Sequence, residues 1–121
     1  MSLSGLRVLV TGAASGIGRA CCARAVAEGA LVAGLDVNGE LLAEVADEIG
    51  ILALIADVTD ESAVAAALDS ATASWGSGPD AVINAAGVYR IEGSSALSRS
   101  AWDDVLAINL TGSLLIAQQA A

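Results

Sequence analysis

Thr11-Gly12-Ala13-Ala14-Ser15-Gly16-Ile17-Gly18 is the most informative stretch of this 121-residue chain. It follows an apolar run at residues 6–10 and precedes a helical pattern that extends to about residue 28. A strand, a glycine-rich turn and a helix, in that order, predict a phosphate-binding site. The alternative, a glycine-rich turn without a ligand, stays open on these residues alone.

Each glycine of the turn has a separate expected task. Gly12 can take backbone angles that a Cβ atom penalises, so the chain can turn sharply after the strand. Gly16 lets a cofactor pyrophosphate approach bare N–H groups at the start of the helix, where the helix dipole favours an anion. Gly18 lets the helix pack closely against the preceding strand.

Working outward, strand-like and helix-like segments alternate along the whole chain. Such an alternation predicts an α/β fold with a Rossmann-like, doubly wound parallel sheet of four strands in the order 3-2-1-4, covered by helices on both faces as three αβα layers. We predict one domain over residues 1–121. The predicted strands cover about 6–11, 31–36, 51–55 and 80–84, and the predicted helices cover about 16–29, 38–49, 60–75 and 98 onward.

The apolar positions of the later helices predict which faces are buried. Helix two is expected to bury Leu41, Leu42, Val45 and Ile49, and helix three Val64, Leu68, Ala71 and Trp75. Helix four is expected to turn Trp102, Val105, Leu106, Asn109 and Gly112 toward the sheet, with Leu110 and Leu114 on another side. Its pattern runs to Ala121 without a stop signal, so we expect a truncated fold.

Composition excludes several function classes. The net charge of −9, from 14 acidic residues against 5 arginines, argues against nucleic acid and anionic membranes as partners. The chain has no histidine, which excludes a histidine zinc site or a Ser-His-Asp triad, and no lysine, which excludes a P-loop. No metal site is predicted. Cys21 and Cys22 are expected to be reduced and core-like.

Neither a membrane span nor a signal-peptide layout is found in the sequence, so we predict a cytoplasmic protein. An acidic protein can still bind an anionic cofactor, because a phosphate site uses local backbone groups, here with Arg19 as a candidate helper.

Polar residues after the strands complete the candidate site. Asp36 ends strand two, 18 residues beyond Gly18, where a carboxylate can accept hydrogen bonds from the hydroxyls of an adenosine ribose. It would repel a 2′-phosphate, and Ser15 offers no positive charge there, so NAD is favoured over NADP. Asp57 either contacts adenine or caps the next helix. Asn109 is either a catalytic group or a satisfied core amide.

Four motifs together resemble the short-chain dehydrogenase/reductase family over the chain from about Leu3. Residues 11–18 are similar to the family's cofactor motif, and Asp57-Val58 to its adenine-contacting pair. Asn84-Ala85-Ala86-Gly87 resembles its Asn-Asn-Ala-Gly motif, with alanine in second place. Residues 108–112 resemble the segment that carries its catalytic asparagine. The resemblance implies a catalytic role for Asn109 and cofactor contacts from Gly12, Ser15, Gly16, Ile17, Gly18, Asp36, Asp57, Val58, Asn84, Ala85, Ala86 and Gly87.

The resemblance implies hydride transfer between NAD and a secondary alcohol or ketone. It covers the first half of such an enzyme, and the family's catalytic Ser and Tyr-x-x-x-Lys have no counterpart here. We therefore expect the cofactor-binding half of an oxidoreductase, inactive alone and homo-oligomeric. The second hypothesis is a non-catalytic dinucleotide-binding or interaction module. The coding DNA beyond Ala121 would distinguish them, since an encoded Tyr-x-x-x-Lys favours the first.

Overall fold

The computed structural model describes residues 2–121, so Met1, the first residue of the predicted domain, lies outside the described residues. Strands and helices alternate as the sequence predicts. The strands are β1 (Arg7–Thr11), β2 (Leu31–Asp36), β3 (Leu52–Ile55) and β4 (Ala81–Asn84). The α-helices are α1 (Gly16–Ala27), α2 (Gly39–Val45), α3 (Glu61–Trp75), α4 (Arg99–Leu106) and α5 (Gly112–Ala120). One π-helical turn, Ala46–Gly50, extends α2, and a second, Ala107–Thr111, joins α4 to α5.

The four strands form one parallel sheet in the order β3-β2-β1-β4. In this register Val8 of β1 lies opposite Val32 of β2 on one side and Ala81 of β4 on the other. The predicted strand order is confirmed, and so is the Rossmann-like doubly wound architecture. All four carboxyl ends therefore meet at one edge of the sheet.

The sheet has an apolar core on each face because successive side chains of a strand point to opposite faces. Val8 and Val10 pack with α1 and α2, whereas Leu9 packs with α3 and α5. Both faces of β1 and β2 are buried, as expected for a parallel sheet covered on both sides. The prediction of helices on both faces is confirmed.

Element boundaries differ from prediction by one or two residues. Helix α1 ends at Ala27, and Gly29 follows it with a positive φ of 91°. Strands β1, β3 and β4 each begin one residue later than predicted. Asn38, the first residue of the predicted helix 38–49, caps α2, since its side chain accepts a hydrogen bond from the Leu41 N–H.

The buried faces of α2 and α3 largely follow the prediction. Leu42 and Val45 of α2 are buried, but Leu41 is exposed. Along α3, the predicted residues Val64, Leu68 and Ala71 are buried and Trp75 is half-buried.

The prediction for helix four is correct in part, since Gly112 is buried and Leu110 and Leu114 are exposed as predicted, but it is wrong for Trp102 and Leu106. Trp102 is 53% exposed and Leu106 is 39% exposed, whereas Gly112 and Ile116 are buried. The physical reason is close approach, because a Cβ atom on Gly112 would lie 2.7 Å from Cγ2 of Val58. The helix turns its smallest residue, rather than its largest apolar ones, toward its neighbour.

Arg7 and Asp80 form an ion pair that links β1 to β4 at the amino ends of the strands. The Arg7 side chain donates from Nε to Oδ2 of Asp80 at 2.9 Å and from Nη2 to Oδ1 at 2.6 Å. The Arg7 backbone N–H also donates to Oδ2, and the Asp80 N–H donates to the Arg7 carbonyl. These hydrogen bonds hold the pKa of Asp80 below its usual range, so the pair stays ionised at neutral pH.

The two cysteines of α1 are both free thiols. Cys22 is buried, and this burial, with a smaller contribution from neighbouring Cys21, raises its pKa to about 11. A thiol with so high a pKa is a poor nucleophile at neutral pH, which is consistent with a core role.

Within residues 2–121, no helix has the length and apolarity needed to cross a membrane. The same residues contain no group of three or more His, Cys, Asp and Glu side chains that could hold a metal ion.

Candidate functional site

A cavity of about 580 Å³ lies at the carboxyl edge of the sheet, across the turn between β1 and α1. This is where ligands bind in open parallel sheets, at the point where the strand order reverses on either side of β1. Most of the residues singled out in the sequence line this cavity. They are Gly12, Ser15, Gly16, Ile17, Gly18, Asp36, Asp57, Val58, Ala85, Ala86 and Gly87.

The glycine-rich turn is sterically tight at two of its glycines. Gly12 has a φ of 65°, and a Cβ atom on it would lie 2.8 Å from the Ala85 carbonyl oxygen. A Cβ atom on Gly18 would overlap the Gly12 carbonyl group. The turn therefore holds β1, α1 and the end of β4 in close backbone contact, as the sequence predicts for Gly18.

The first turn of α1 presents free backbone donors to the cavity. Ser15 precedes the helix but makes no side-chain capping hydrogen bond. Within residues 2–121, the N–H groups of Gly16, Ile17 and Gly18 have no hydrogen-bond acceptor. Open space surrounds the position of a Cβ atom on Gly16. These features fit the pyrophosphate of a dinucleotide, which supplies acceptors and negative charge where the helix dipole favours them.

Asp36 links the end of β2 to the glycine-rich turn. Its Oδ2 accepts a hydrogen bond from the Ala14 N–H at 3.0 Å, and its Oδ1 accepts one from the Asn38 N–H at 2.9 Å. Each carboxylate oxygen retains a further lone pair for a ligand hydroxyl. The side chain is thus held in a fixed orientation at one end of the cavity.

The hydrogen bonds of Asp57 and Asp60 distinguish the two alternatives for Asp57. Asp60 caps α3, since its side chain accepts from the Ala63 N–H at 3.1 Å, and this hydrogen bond lowers the pKa of Asp60. Asp57 instead accepts from the backbone N–H and the hydroxyl of Thr59 while lining the cavity. Asp57 is therefore not the helix cap.

Asn84 and Asn109 lie outside the cavity lining and support its wall. Asn84 Oδ1 accepts from the Thr11 hydroxyl at 2.7 Å. Asn109 Oδ1 accepts from the Val88 N–H at 2.8 Å, and its Nδ2 donates to the Val88 carbonyl at 2.7 Å. The Asn109 side chain is thus occupied by a backbone contact with the loop after β4.

Arg19, the candidate helper at the phosphate site, does not take part in the cavity. Arg19 forms an ion pair with Glu48 and does not line the cavity. Among the described residues, the lining contains two carboxylates, Asp36 and Asp57, and no basic side chain. The hydrogen-bond donors that these lining residues present to a phosphate group are therefore backbone N–H groups.

Sequence reasoning missed part of the lining and its main support. The additional lining residues are Leu35, Val37, Ala56, Val88, Tyr89 and Ile108. The buried Thr11 supports the wall, because its hydroxyl also accepts from the Ala86 N–H at 3.1 Å. Its place as the first residue of the glycine motif was the available signal for this role.

Known proteins match this chain in sequence and in structure. The family described as short chain dehydrogenase matches residues 7–121. D-threitol dehydrogenase of Mycolicibacterium smegmatis is 40% identical over 96% of this chain and 46% of its own length. The mouse (3R)-3-hydroxyacyl-CoA dehydrogenase is 39% identical over 93% of this chain and 48% of its own length.

Solved structures give the same picture. A short chain dehydrogenase from Mycobacterium smegmatis superposes with a TM-score of 0.92 at 32% identity, over 98% of this chain and 51% of that one. The 3-ketoacyl-(acyl-carrier-protein) reductase of Brucella melitensis, solved in complex with NADH, also gives 0.92 at 30% identity, over 98% and 49%. The chain spans about half the length of these relatives. On these matches and its fold, the chain belongs to the short-chain dehydrogenase/reductase family.

Proposed function

We propose that this chain is the dinucleotide-binding half of an NAD-dependent oxidoreductase acting on a secondary alcohol or ketone. The observation that carries the proposal is the cavity at the carboxyl edge, with the free N–H groups of α1 at its centre and Asp36 at one end. The dehydrogenase names of the relatives and the NADH in one solved relative support it.

In this proposal the chain binds and orients the cofactor, and nicotinamide supplies the hydride chemistry. The N–H groups of Gly16, Ile17 and Gly18 hold the pyrophosphate, and the Asp36 carboxylate accepts from the adenosine ribose. The loop 85–88 bounds the other half of the cavity. Because the Asn109 side chain is engaged with Val88, we assign it to positioning that loop.

Binding should favour NAD(H) over NADP(H) by about tenfold or more, because Asp36 repels a 2′-phosphate and the lining residues within 2–121 carry no positive charge. Replacing Asp36 by alanine together with Val37→Arg should narrow or reverse this preference. Calorimetric titration of both cofactors measures the ratio.

Two further variants sharpen this test. Asp36→Asn removes the charge and keeps only one of the two oxygens that accept from the Ala14 and Asn38 N–H groups. The ratio of NADP(H) to NAD(H) affinity in this variant therefore reports the repulsion, and its stability reports the support of the turn. Glu44→Ala, an exposed change on α2 away from the cavity, is the matched control. Tighter binding of NADP(H) by the unaltered chain would overturn the NAD assignment, and failure to bind either cofactor would overturn the proposed function.

The 121-residue polypeptide should show no turnover by itself. General acid–base catalysis needs a group of suitable pKa within hydrogen-bond reach of the reacting oxygen. The chain has no lysine or histidine, and its single tyrosine, Tyr89, is 78% exposed. Incubation with NAD and a panel of secondary alcohols should give no NADH absorbance above background.

Tyr89→Phe and Asn109→Ala are the controls for any residual signal. Activity that persists through purification and is lost in Tyr89→Phe would contradict the prediction, since it would identify an acid–base group within this chain. Activity lost in Asn109→Ala would also contradict it, because this turnover would depend on the loop that Asn109 positions. Activity that survives both changes would point to a contaminant.

We expect the purified chain to form a homodimer or larger assembly. Trp102, Leu106, Leu110 and Leu114 form an exposed apolar stripe along the helical segment 99–120, and the outer edge of β4 is unpaired among the described strands. Exposed apolar surface costs on the order of 25 cal/mol per Å², and an open strand edge invites pairing.

Light scattering at tens of micromolar measures this assembly. Leu110→Glu with Leu114→Glu should shift the chain toward monomer, whereas Ile91→Glu, at an exposed loop residue outside the stripe, should not. A stable monomer of the unaltered chain at that concentration would disprove the expectation.

A further inference from the structure

Ser113, in the first turn of α5, joins two side chains that support the cavity wall. Its hydroxyl accepts a hydrogen bond from Nδ2 of Asn84 at 2.6 Å and donates one to the Asn109 carbonyl oxygen at 2.9 Å. Donation to a carbonyl four residues earlier is ordinary for a helical serine. Simultaneous acceptance from a strand residue 29 positions away in sequence is a long-range link.

The direction of each hydrogen bond in this network is fixed. Ser113 has one hydroxyl hydrogen and gives it to Asn109, so it can only accept from Asn84. The amide nitrogen of Asn84 therefore faces Ser113, and its Oδ1 faces the Thr11 hydroxyl. Thr11 donates to that oxygen and keeps a lone pair for the Ala86 N–H.

The second branch of the network reaches the same loop two residues further on. The backbone carbonyl of Asn109 is held by Ser113, while the Asn109 side chain pairs with both the N–H and the carbonyl of Val88. One hydroxyl thus connects to the anchors of Ala86 and of Val88. Both anchored residues line the cavity, whereas Ser113 does not.

We propose that Ser113 is a positioning residue that fixes the cavity wall formed by residues 85–88. The inference rests on the proposed function, because it assigns this wall to one half of a bound dinucleotide. In the strand order β3-β2-β1-β4, Asp36 and residues 85–88 lie on opposite sides of β1. A dinucleotide that is held at Asp36 and spans the cavity crosses the turn after β1 and contacts this wall.

This contact predicts a local effect of Ser113→Ala. The variant should weaken NADH binding by about fivefold to tenfold, because it loses about one hydrogen bond that holds the wall in place. Amide hydrogen exchange at Ala86 and Val88 should accelerate, while exchange within β2 should not.

Two matched variants control the experiment. Ser113→Thr keeps the hydroxyl and should restore both NADH affinity and exchange protection. Ser70→Ala makes the same substitution on an exposed position of α3 and should change neither. Calorimetry with NADH, and exchange followed by NMR, give independent measurements.

The outcomes separate the inference from the proposed function. Unchanged NADH affinity and unchanged exchange in Ser113→Ala would overturn the role of Ser113, as would an equal acceleration of exchange in β2 and at Ala86 and Val88. If the unaltered chain binds no NADH, the proposed function fails, and exchange at Ala86 and Val88 still decides whether Ser113 fixes the wall.

Discussion

Gly18→Ala should lower the free energy of unfolding by about 3 kcal/mol, the upper range for forcing an extra methyl group into a packed site. The added Cβ atom would overlap the Gly12 carbonyl group, and backbone atoms cannot rotate away as a flexible side chain would. Helix α1 must shift away from the turn, so its free N–H groups leave the cavity and cofactor affinity falls as well. Urea denaturation followed by circular dichroism, together with NAD titration, measures both losses.

Gly78→Ala provides the matched control for this change. A Cβ atom on Gly78 meets nothing within 4 Å, and its φ is not in the left-handed region. We expect its denaturation midpoint to stay near that of the unaltered chain, with any free-energy change below about 1 kcal/mol. Equal midpoints for Gly18→Ala and Gly78→Ala would refute the close packing of α1 on the turn.

Thr11→Val should cost about 2 kcal/mol of stability, although valine has nearly the same shape. Thr11 is fully buried, and its hydroxyl satisfies both Asn84 Oδ1 and the Ala86 N–H. Valine leaves both groups without this partner, and leaving a partly buried polar group unpaired costs about 1 to 3 kcal/mol. Thermal and urea denaturation measure the loss.

Thr11→Ser and Thr72→Val separate the possible causes. Serine keeps the hydroxyl and loses only a methyl group, so it should cost about 1 kcal/mol. Thr72→Val makes the same replacement on an exposed position of α3 and should stay within about 0.5 kcal/mol. If Thr11→Val is no less stable than Thr11→Ser, the hydroxyl does not support the wall as described.

Strand order and helix placement were predictable because the signals were local and strong. The apolar run of β2, ending at Asp36, can be accommodated only between two covered faces, and Asn38 and Asp60, where the predicted helices 38–49 and 60–75 begin, are the caps of α2 and α3. The face of the last helix was not predictable from apolarity. Gly112 was expected to face the sheet, but its close packing against Val58, which leaves Trp102 and Leu106 exposed, depends on backbone distances that residue type alone does not encode.

The candidate site, too, was predicted only in part from the sequence. The motif spacing predicted eleven of the residues that line the cavity, because strand ends in a parallel sheet meet at one edge. It did not predict that Asn84 and Asn109 support the wall from outside. Their partners, Ser113 and the backbone of Val88, are known only once the helix has been packed against the strand.

The Arg7–Asp80 pair lies at the amino ends of β1 and β4, and the cavity lies at their carboxyl ends. A five-residue strand separates the two by about 15 Å. Natural variation in the loops above the sheet can therefore alter ligand preference without loosening the register of its central strands. Because the contacts that anchor the strands lie apart from those that bind ligand, the same sheet can carry different ligand sites. The amino edge is therefore the part of the sheet to stabilise before a site is redesigned.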